Sequence, residues 1–557
     1  MTEAQFGVEA RAACVRRMKE QDFDVLVIGG GITGAGIARD AALRGYKVAL
    51  VDKGDFAGCT SSRSSKMVHG GLRYLQYYKF RLVVEALRER YTVSKIARNL
   101  VHPQAFLITV YRGASHGPTT YRLGLVMYDA LALFRTPQTH RALSAEKAAE
   151  LEPLLKKDGL RGGFLYYDYR VDDARLTLSN AKTAWLKGAA VANYVEVVGL
   201  EKAGGRVSGA KLKDMVSGEQ FACRAKVVVN ATGPFVDRVR ALDDPSCEKK
   251  LRPTKGVHVV VSPARLPIEH AIVTEAEDGR NVFAVPWGRY VLIGTTDRDY
   301  DGEFDSVYAT KEDVRYLLDA VNRALPAASL GTEDVTATYA GLRPLVFELG
   351  VKESEVSREH EIFVSPSGLF SIAGGKLTTY RSMAEELMDR VSDVLHYVHG
   401  TQAVFDSGSS FDLLDGAFEE TYRSAMLKDL RSANLGDDVA EHLLYFYGTR
   451  YKEVLRLVSA DPSLGARIKE GHPYIWAEVP YAATSDCAVH LDDILSRRLH
   501  LVFEDPEQGL DVAEKASVLA GSALGWTEED RRKEVSSYGE IVALTRRYRA
   551  EQLPHAP

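Results

Sequence analysis

His69 stands directly before Gly70-Gly71, and Arg73 and Tyr74 follow within five residues. Histidine can accept a proton near neutral pH. An arginine beside a tyrosine can bind an anion, and paired glycines let backbone approach a small ligand closely. A histidine next to two glycines is also a common structural pattern, and the residues alone leave both readings open. Just upstream, Thr60-Ser61-Ser62-Arg63-Ser64-Ser65-Lys66 packs five hydroxyls and two cations into seven residues. Such a run suits a phosphate or a polyol chain; a solvated loop with a helix N-cap is the alternative. Its position directly after a nucleotide motif favours the first.

That motif begins with the apolar run Val25 to Ile28, read as a short buried strand. Gly29, Gly31 and Gly34 then fit G-x-G-x-x-G, and a helical pattern runs from Ala35 to Arg44, with Gly45 where a left-handed C-cap belongs. A second strand, Lys47 to Val51, ends in Asp52, 18 residues after Gly34. The chemistry needs this order. Gly29 allows the tight turn, Gly31 lets backbone reach a pyrophosphate, and Gly34 lets helix pack on strand. The helix N-terminus offers N–H groups and a positive dipole end to phosphates, and Asp52 can accept from a ribose hydroxyl. Strand, helix, second strand and acidic end together make the motif specific, whereas a bare G-x-G-x-x-G is not.

Several further strands deliver polar groups to their ends. Leu176 to Lys187 reads as a helix and Val191 to Leu200 as a strand; Lys226 to Asn230 leads into Ala231-Thr232-Gly233. From Gly256 to Asp297 the pattern is β-rich, and His258, inside Val257 to Val261, reads as a core or sheet histidine. Thr336 to Ala340 delivers Gly341-Leu342-Arg343-Pro344, and Arg358 precedes another strand. Leu369 to Ala373 ends in Gly374-Gly375-Lys376, after which Leu377-Thr378-Thr379 opens a helix whose N-terminus points at a ligand. Near 400–410 the composition turns to Gly, Ser and Asp, which marks a domain boundary. Beyond it the periodicity is helical, with Thr527 to Asp530 as a capping-box start for the last helix.

The 557 residues allow two or three domains, and 45% hydrophobic with 26% charged content fits a soluble globular chain. A net charge of −5 gives no polyanion signal, so nucleic acid is not an expected partner. Five scattered cysteines without C-x-x-C argue for a reducing compartment, with neither a disulfide framework nor a metal site. No secretory h-region and no spanning stretch is expected. Two segments could touch a membrane surface: the helical face Phe6, Ala10, Ala13, Cys14, Met18, and the nearly apolar run Leu123 to Phe134. A frayed extension and a buried core helix are the respective alternatives, and the sequence favours both.

Taken together, these stretches resemble the FAD-dependent glycerol-3-phosphate dehydrogenases and their near relatives, the glycerol-3-phosphate oxidases. The resemblance rests on Gly29 to Asp40, Thr60 to Tyr74 (TSSRSSKMVHGGLRY), Asn230 to Gly233, Val285 to Asp297 (VPWGRYVLIGTTD), Gly341 to Leu345 (GLRPL), Gly374 to Arg381 (GGKLTTYR) and Glu478 to Glu504. It covers nearly the whole chain from about Asp22 onward. Phe235, where the family is expected to carry Trp, departs from the pattern, and residues 1–21 are not part of it.

The resemblance implies an α/β plus α+β architecture: a Rossmann-like FAD-binding domain, an antiparallel-sheet substrate domain of D-amino-acid-oxidase type, and a C-terminal all-α domain. The expected boundaries are 1–21 for the extension; 22–100, 176–240 and 360–398 for FAD binding; 101–175 and 241–359 for substrate; 405–557 for the helical domain. The implied reaction oxidises glycerol 3-phosphate at C2 to dihydroxyacetone phosphate, with the hydride passing to flavin N5. His69 is the candidate base and Arg343 a second catalytic candidate, while Arg73, Tyr74, Arg343, Arg358 and Lys376 bind the substrate. Guanidinium forks suit a phosphate dianion better than ammonium groups do. The FAD set is Gly29, Gly31, Gly34, Asp52, Thr60, Ser61, Ser62, Ser65, Lys66, His69, Gly70, Val197, Ala231, Gly233, Gly374, Gly375, Leu377 and Thr378. Electrons are expected to reach membrane quinone, because the family's oxidases tend to carry an extra internal stretch and this chain looks compact; the alternatives are an oxidase using oxygen, another flavin oxidoreductase of the same superfamily and, least favoured, a non-catalytic flavin sensor. The expected location is cytoplasmic, peripherally on the inner face of the cell membrane, with a homodimer left open.

Overall fold

The computed structural model describes residues 5–113, 116–347, 359–402, 404 and 406–551. The run Val25 to Ile28 is fully buried because its strand, Asp22–Ile28, lies in the middle of a sheet covered on both faces. It pairs in parallel with Val48–Val51 on one side and Gln220–Asn230 on the other. Ala190–Ala192 extends the parallel run beyond Val48–Val51, and Phe370–Gly374 extends it beyond Gln220–Asn230. His360–Val364 closes one edge, and the hairpin Val195–Ala203 with Arg206–Asp214 adds an antiparallel annex. Alternate side chains of the central strand face opposite layers. Val25 and Val27 pack under the helices Ile32–Leu43, Asp173–Leu186 and Tyr380–Tyr397, whereas Leu26 and Ile28 face the N-terminal helix Val8–Glu20. The first of these helices comes close to its neighbours because it is rich in Gly and Ala; a Cβ at Gly36 would lie 2.8 Å from the Tyr380 ring.

Two expectations change here. The extension is neither frayed nor a membrane-surface helix: Cys14, Val15 and Met18 are buried against the first sheet, and Arg11 ion-pairs with Asp214 at 2.5 Å. The single strand expected over Val191 to Leu200 is two, Ala190–Ala192 and Val195–Ala203, broken at Asn193-Tyr194. The break has a cause: Asn193 turns inward to donate to Asp55 Oδ1 and the Cys487 carbonyl, and Tyr194 takes a left-handed φ of 53°.

The second sheet has ten strands among the described residues and is mostly antiparallel. Its longest pairings join Val101–Tyr111 to Leu160–Val171 and Leu251–Val261 to Val335–Val346. One pairing, Ala271–Glu275 with Val101–Tyr111, is parallel. The short strand Met67–Val68 belongs to this sheet through Leu160–Val171, although residues 22–100 were expected in the cofactor domain. The run Thr60 to Lys66 is therefore the seam between the two sheets. From Arg423 onward the described elements are helical, and their core is continuous with Trp287, Tyr290 and Tyr339 of the second sheet. The helix Pro118–Leu131 is half of what its sequence promised: Leu125 and Tyr128 are buried, but Leu123, Val126 and, just past its end, Leu133 and Phe134 stand exposed.

Candidate active site

The C-terminal ends of the parallel strands converge on the glycine turn. Gly29 has φ of +109°, and a Cβ there would lie 2.6 Å from the Ala231 carbonyl; a Cβ on Gly34 would meet the Gly29 carbonyl at 1.8 Å. Neither position admits a side chain. At Gly31, the N-cap of Ile32–Leu43, the space in front is open except for Ser61 Oγ, 3.2 Å from a Cβ built there. An open helix N-terminus walled by glycine backbone fits a dinucleotide pyrophosphate.

Asp52 has a role its spacing did not reveal. Its carboxylate accepts from the Gly30 N–H at 2.6 Å and the Gly54 N–H at 2.8 Å, so it braces the turn. Burial pushes its carboxyl up to about 6, against the lowering effect of those two bonds. Ala231 and Gly233 stand at the next strand end, where Ala231 N–H donates to the Ile28 carbonyl at 2.8 Å. Val197 lies in the annex, half-buried, opposite Leu212.

All five hydroxyls of the seam have protein partners. Ser61 Oγ accepts from Ile32 N–H at 2.9 Å, and Thr60 donates to the Leu342 carbonyl at 2.7 Å. Ser62 donates to Cys59 O at 3.4 Å, Ser64 to Asp173 at 2.7 Å, and Ser65 Oγ meets His258 Nε2 at 2.8 Å. Lys66 is sealed inside, its ammonium 2.6 Å from Asp173 Oδ1 with both side chains fully buried. Its ammonium is thus a structural charge, and only its backbone remains to face a cofactor. His258 is the buried sheet histidine expected, stacked on Tyr339, yet it also reaches the seam. Burial, with the charges of Arg343 and Lys66, holds it well below the ordinary imidazole range, so it is neutral.

His69 follows Met67–Val68. Its N–H donates to Thr378 Oγ1 at 3.1 Å, and the Thr378 hydroxyl returns a bond to the His69 carbonyl at 3.3 Å. Thr378 sits in the short turn Leu377–Thr379, after Gly374 and Gly375, both with φ near +80°. A Cβ on Gly375 would strike the Met383 sulfur at 2.4 Å, so this second glycine turn also has no room for a side chain. Behind His69, Gly70 N–H donates to Asp168 Oδ1 at 3.3 Å, and Asp168 also accepts from Arg90 at 2.5 Å and Tyr128 at 2.9 Å. The sequence reading missed Asp168. The signal was present: a lone carboxylate in the strand Leu160–Val171 must be paired or its burial is prohibitive.

His69, Arg73, Tyr74, Ser65, Thr295 and Arg343 line one cavity of about 1060 Å³. Arg73 donates to Tyr77 OH at 3.3 Å, and Lys376 Nζ lies 3.7 Å over the Tyr74 ring. Arg343 owes its place to Gly256 on the paired strand, where a Cβ would be 2.6 Å from its guanidinium. The guanidinium contacts Asp297 Oδ1 at 2.9 Å, Thr295 Oγ1 at 3.0 Å and the Thr296 carbonyl at 3.0 Å. Thr295 and Asp297 belong to the run Val285 to Asp297, which the sequence alone marks only as β-rich. Arg358 lies outside the described residues. Tyr77, Tyr78, Tyr121, Leu123 and Met127 line the same cavity.

Residues 24–381 match the model of a family described as FAD dependent oxidoreductase, and residues 379–531 match the C-terminal domain of alpha-glycerophosphate oxidase. The aerobic glycerol-3-phosphate dehydrogenase of Staphylococcus saprophyticus is 38% identical over 525 residues, 92% of this chain and 93% of the relative. Glycerol-3-phosphate dehydrogenase 2 of Mycobacterium tuberculosis is 39% identical over 536 residues, 96% of this chain and 90% of the relative. Among solved structures, the glycerol-3-phosphate dehydrogenase of Bacillus halodurans complexed with FAD superposes with a TM-score of 0.82 at 31% identity, covering 99% of this chain and all of the other.

Proposed function

The chain belongs to the family of FAD-dependent glycerol-3-phosphate dehydrogenases, and on that premise we propose that it oxidises glycerol 3-phosphate at C2 to dihydroxyacetone phosphate. The observation that carries the reading is one cavity lined by a histidine between two anchored glycine turns and by two guanidinium groups, Arg73 from the adjoining turn and Arg343 from the strand Val335–Val346. FAD, when bound, supplies the two-electron acceptor for the C2 hydride. Gly29, Gly31, Gly34 and Asp52 hold the dinucleotide, with Ser61, Ser62, Ser65, Ala231, Gly233, Gly374, Gly375, Leu377 and Thr378 as further contacts and Val197 on the annex side.

His69 takes the C2 hydroxyl proton. Its backbone is fixed on both sides, by Thr378 and through Gly70 by Asp168, which holds the ring's attachment point in place. Arg73 and Arg343 bind the phosphate dianion, with Tyr74 and Lys376 beside them and Arg358 as a further cation. Arg343 is preorganised by Asp297 and Thr295, so no reorientation is needed when the anion arrives. The N-terminal end of the turn Leu377–Thr379 directs a positive dipole at the reacting end of the cavity.

The electrons pass on to membrane quinone. What supports this acceptor is the part of the cavity lined by aromatic and apolar side chains, which glycerol 3-phosphate does not need. Of its lining, Tyr78 is 80% and Leu123 67% exposed; Phe134, past the end of the same helix as Leu123, is 67% exposed, and Arg81, Arg122 and Arg135 on these segments are exposed too. Apolar groups among cations suit an anionic bilayer surface, and no described helix is long and apolar enough to cross one. The location that follows is peripheral, on the inner membrane face. Anaerobic glycerol 3-phosphate should bleach the bound flavin absorbance, and a soluble quinone analogue should restore it faster than air does. Absence of bleaching overturns the substrate assignment; rapid stoichiometric peroxide in air overturns the acceptor.

A further inference from the structure

The loop Lys53 to Gly58, immediately after Asp52, wraps the glycine turn. Asp52 takes the Gly30 N–H, Ala57 N–H donates to the Gly30 carbonyl at 3.2 Å, and the Phe56 ring lies 2.7 Å from where a Gly30 Cβ would stand. Both polar groups of the Gly30 backbone are thus held by one short loop. The loop is itself strained: Ala57 adopts φ of 61°, a conformation that persists in an L-residue only where the surroundings impose it.

The surroundings come from the far end of the chain. Asp55 Oδ2 accepts from Arg497 Nε at 2.7 Å and Arg498 Nη1 at 2.5 Å, and Oδ1 accepts from Arg498 Nη2 at 3.0 Å and Asn193 at 3.1 Å. Asp55 and Arg498 are almost completely buried. The fork is two-pronged, as a guanidinium and carboxylate allow. Arg497 and Arg498 end a wide helical turn, Asp493–Arg498, in the C-terminal domain, and Arg498 is tied there by the Asp486 carbonyl at 2.9 Å. Phe6, from the N-terminal segment, stacks on Phe56 with ring centres 6.2 Å apart.

We propose that Arg498 and Arg497, through Asp55, position the Asp52 loop and so make retention of FAD depend on the C-terminal domain. They are positioning residues, since neither lines the cavity. The inference rests on the assignment of the glycine turn to FAD, which Asp52→Ala tests separately. A buried fork that merely joins two domains would affect stability alone; one that sets the loop must affect cofactor release.

The experiment compares three variants of the holoenzyme. Arg498→Lys keeps the charge but loses the fork, and Asp55→Asn keeps the shape but loses the charge. Asp415→Asn weakens different ion pairs near the same domain junction, to Lys182 at 3.4 Å and to Arg450 at 2.7 Å, without touching the loop. FAD release after dilution is followed by the rise in flavin fluorescence, and melting temperature is measured alongside. Loss of a buried charge-assisted fork should speed release by about tenfold or more in the first two variants. Asp415→Asn should lower the melting temperature yet release FAD at the wild-type rate. Release at the wild-type rate in Arg498→Lys and Asp55→Asn, or acceleration in all three that simply tracks the melting temperature, overturns the proposal.

Discussion

His69 and Thr378 hold each other by two bonds between one side chain and one backbone, although 309 residues separate them. The histidine comes from the seam between the sheets and the threonine from the turn that opens the last helix of the first sheet. Each anchors a glycine turn whose neighbours leave no room for a side chain. The position of His69 in the cavity wall is therefore fixed by a turn from a distant part of the chain.

His69→Ala should slow anaerobic reduction of the bound flavin by glycerol 3-phosphate roughly 10²–10⁴-fold, the usual contribution of a positioned base. Substrate affinity should change far less, because the phosphate contacts are elsewhere. Stopped-flow rates within a few-fold of wild type would return His69 to a structural role.

Arg343→Lys separates two uses of one guanidinium. The side chain already pairs with Asp297, so some loss of melting temperature is expected from the sheet contact alone. If Arg343 also binds phosphate, KM for glycerol 3-phosphate should rise at least about tenfold, since an ammonium cannot offer two parallel donors. A lowered melting temperature with unchanged KM would leave Arg343 as a brace of the second sheet.

FAD affinity should depend on the ionisation of Asp52. Burial pushes its carboxyl up to about 6 in the flavin-free protein. A cofactor whose ribose needs the carboxylate lowers that value on binding, so affinity should fall as pH drops below 6 and level off above it. Titration of apoprotein with FAD between pH 5 and pH 8 checks the slope. Asp52→Asn should flatten it, and Asp52→Ala should also leave less flavin bound after dialysis.

Glu504, in the C-terminal domain beside Gly288, is pushed up to about 8 by burial, against the opposing hydrogen bond with Tyr474 and the charge of Arg289. The folded value lies above the ordinary 4.5 of an unfolded chain, so the folded state binds the proton more tightly. Stability from this group is complete at the acid end and is lost as pH rises towards 8, by up to about 1.4 kcal/mol per pH unit. Melting temperatures of Glu504→Gln should show a shallower decline between pH 5 and pH 8 than wild type. Parallel curves would remove Glu504 as the source.

Leu133→Glu combined with Phe134→Glu should reduce co-sedimentation with vesicles containing anionic lipid, because both side chains protrude from the surface and neither lines the cavity. Rates with a water-soluble quinone analogue should be much less affected. Undiminished vesicle binding would place the membrane face elsewhere.

The central strand, its glycine turn, the helix behind it and Asp52 could be read from the chain alone. They are contiguous, and each step is a local requirement: an apolar run buried on both faces, residues without Cβ at contact, and an acidic strand end at a set distance. The same holds for the left-handed Gly45 and the capping box at Thr527, whose bonds run between residues three apart or fewer. The family resemblance added the separated pieces, because short motifs survive without regard to what lies between them.

Tertiary structure decided which polar side chains face a ligand and which hold the protein together. Lys66 and Ser65 belong to one hydroxyl-rich run, yet Lys66 is sealed against Asp173 and Ser65 lines the cavity, because the run passes between two sheets and alternate residues face different layers. Asp168 and Asp55 looked like unremarkable carboxylates. Their importance comes from partners 78 and 443 residues away, and no local pattern encodes a pairing at that separation. The exposed apolar side of Pro118–Leu131 is a further case. Composition made that helix look like core, and only its packing, with Tyr128 inward and Leu123 outward, turned half of it into surface.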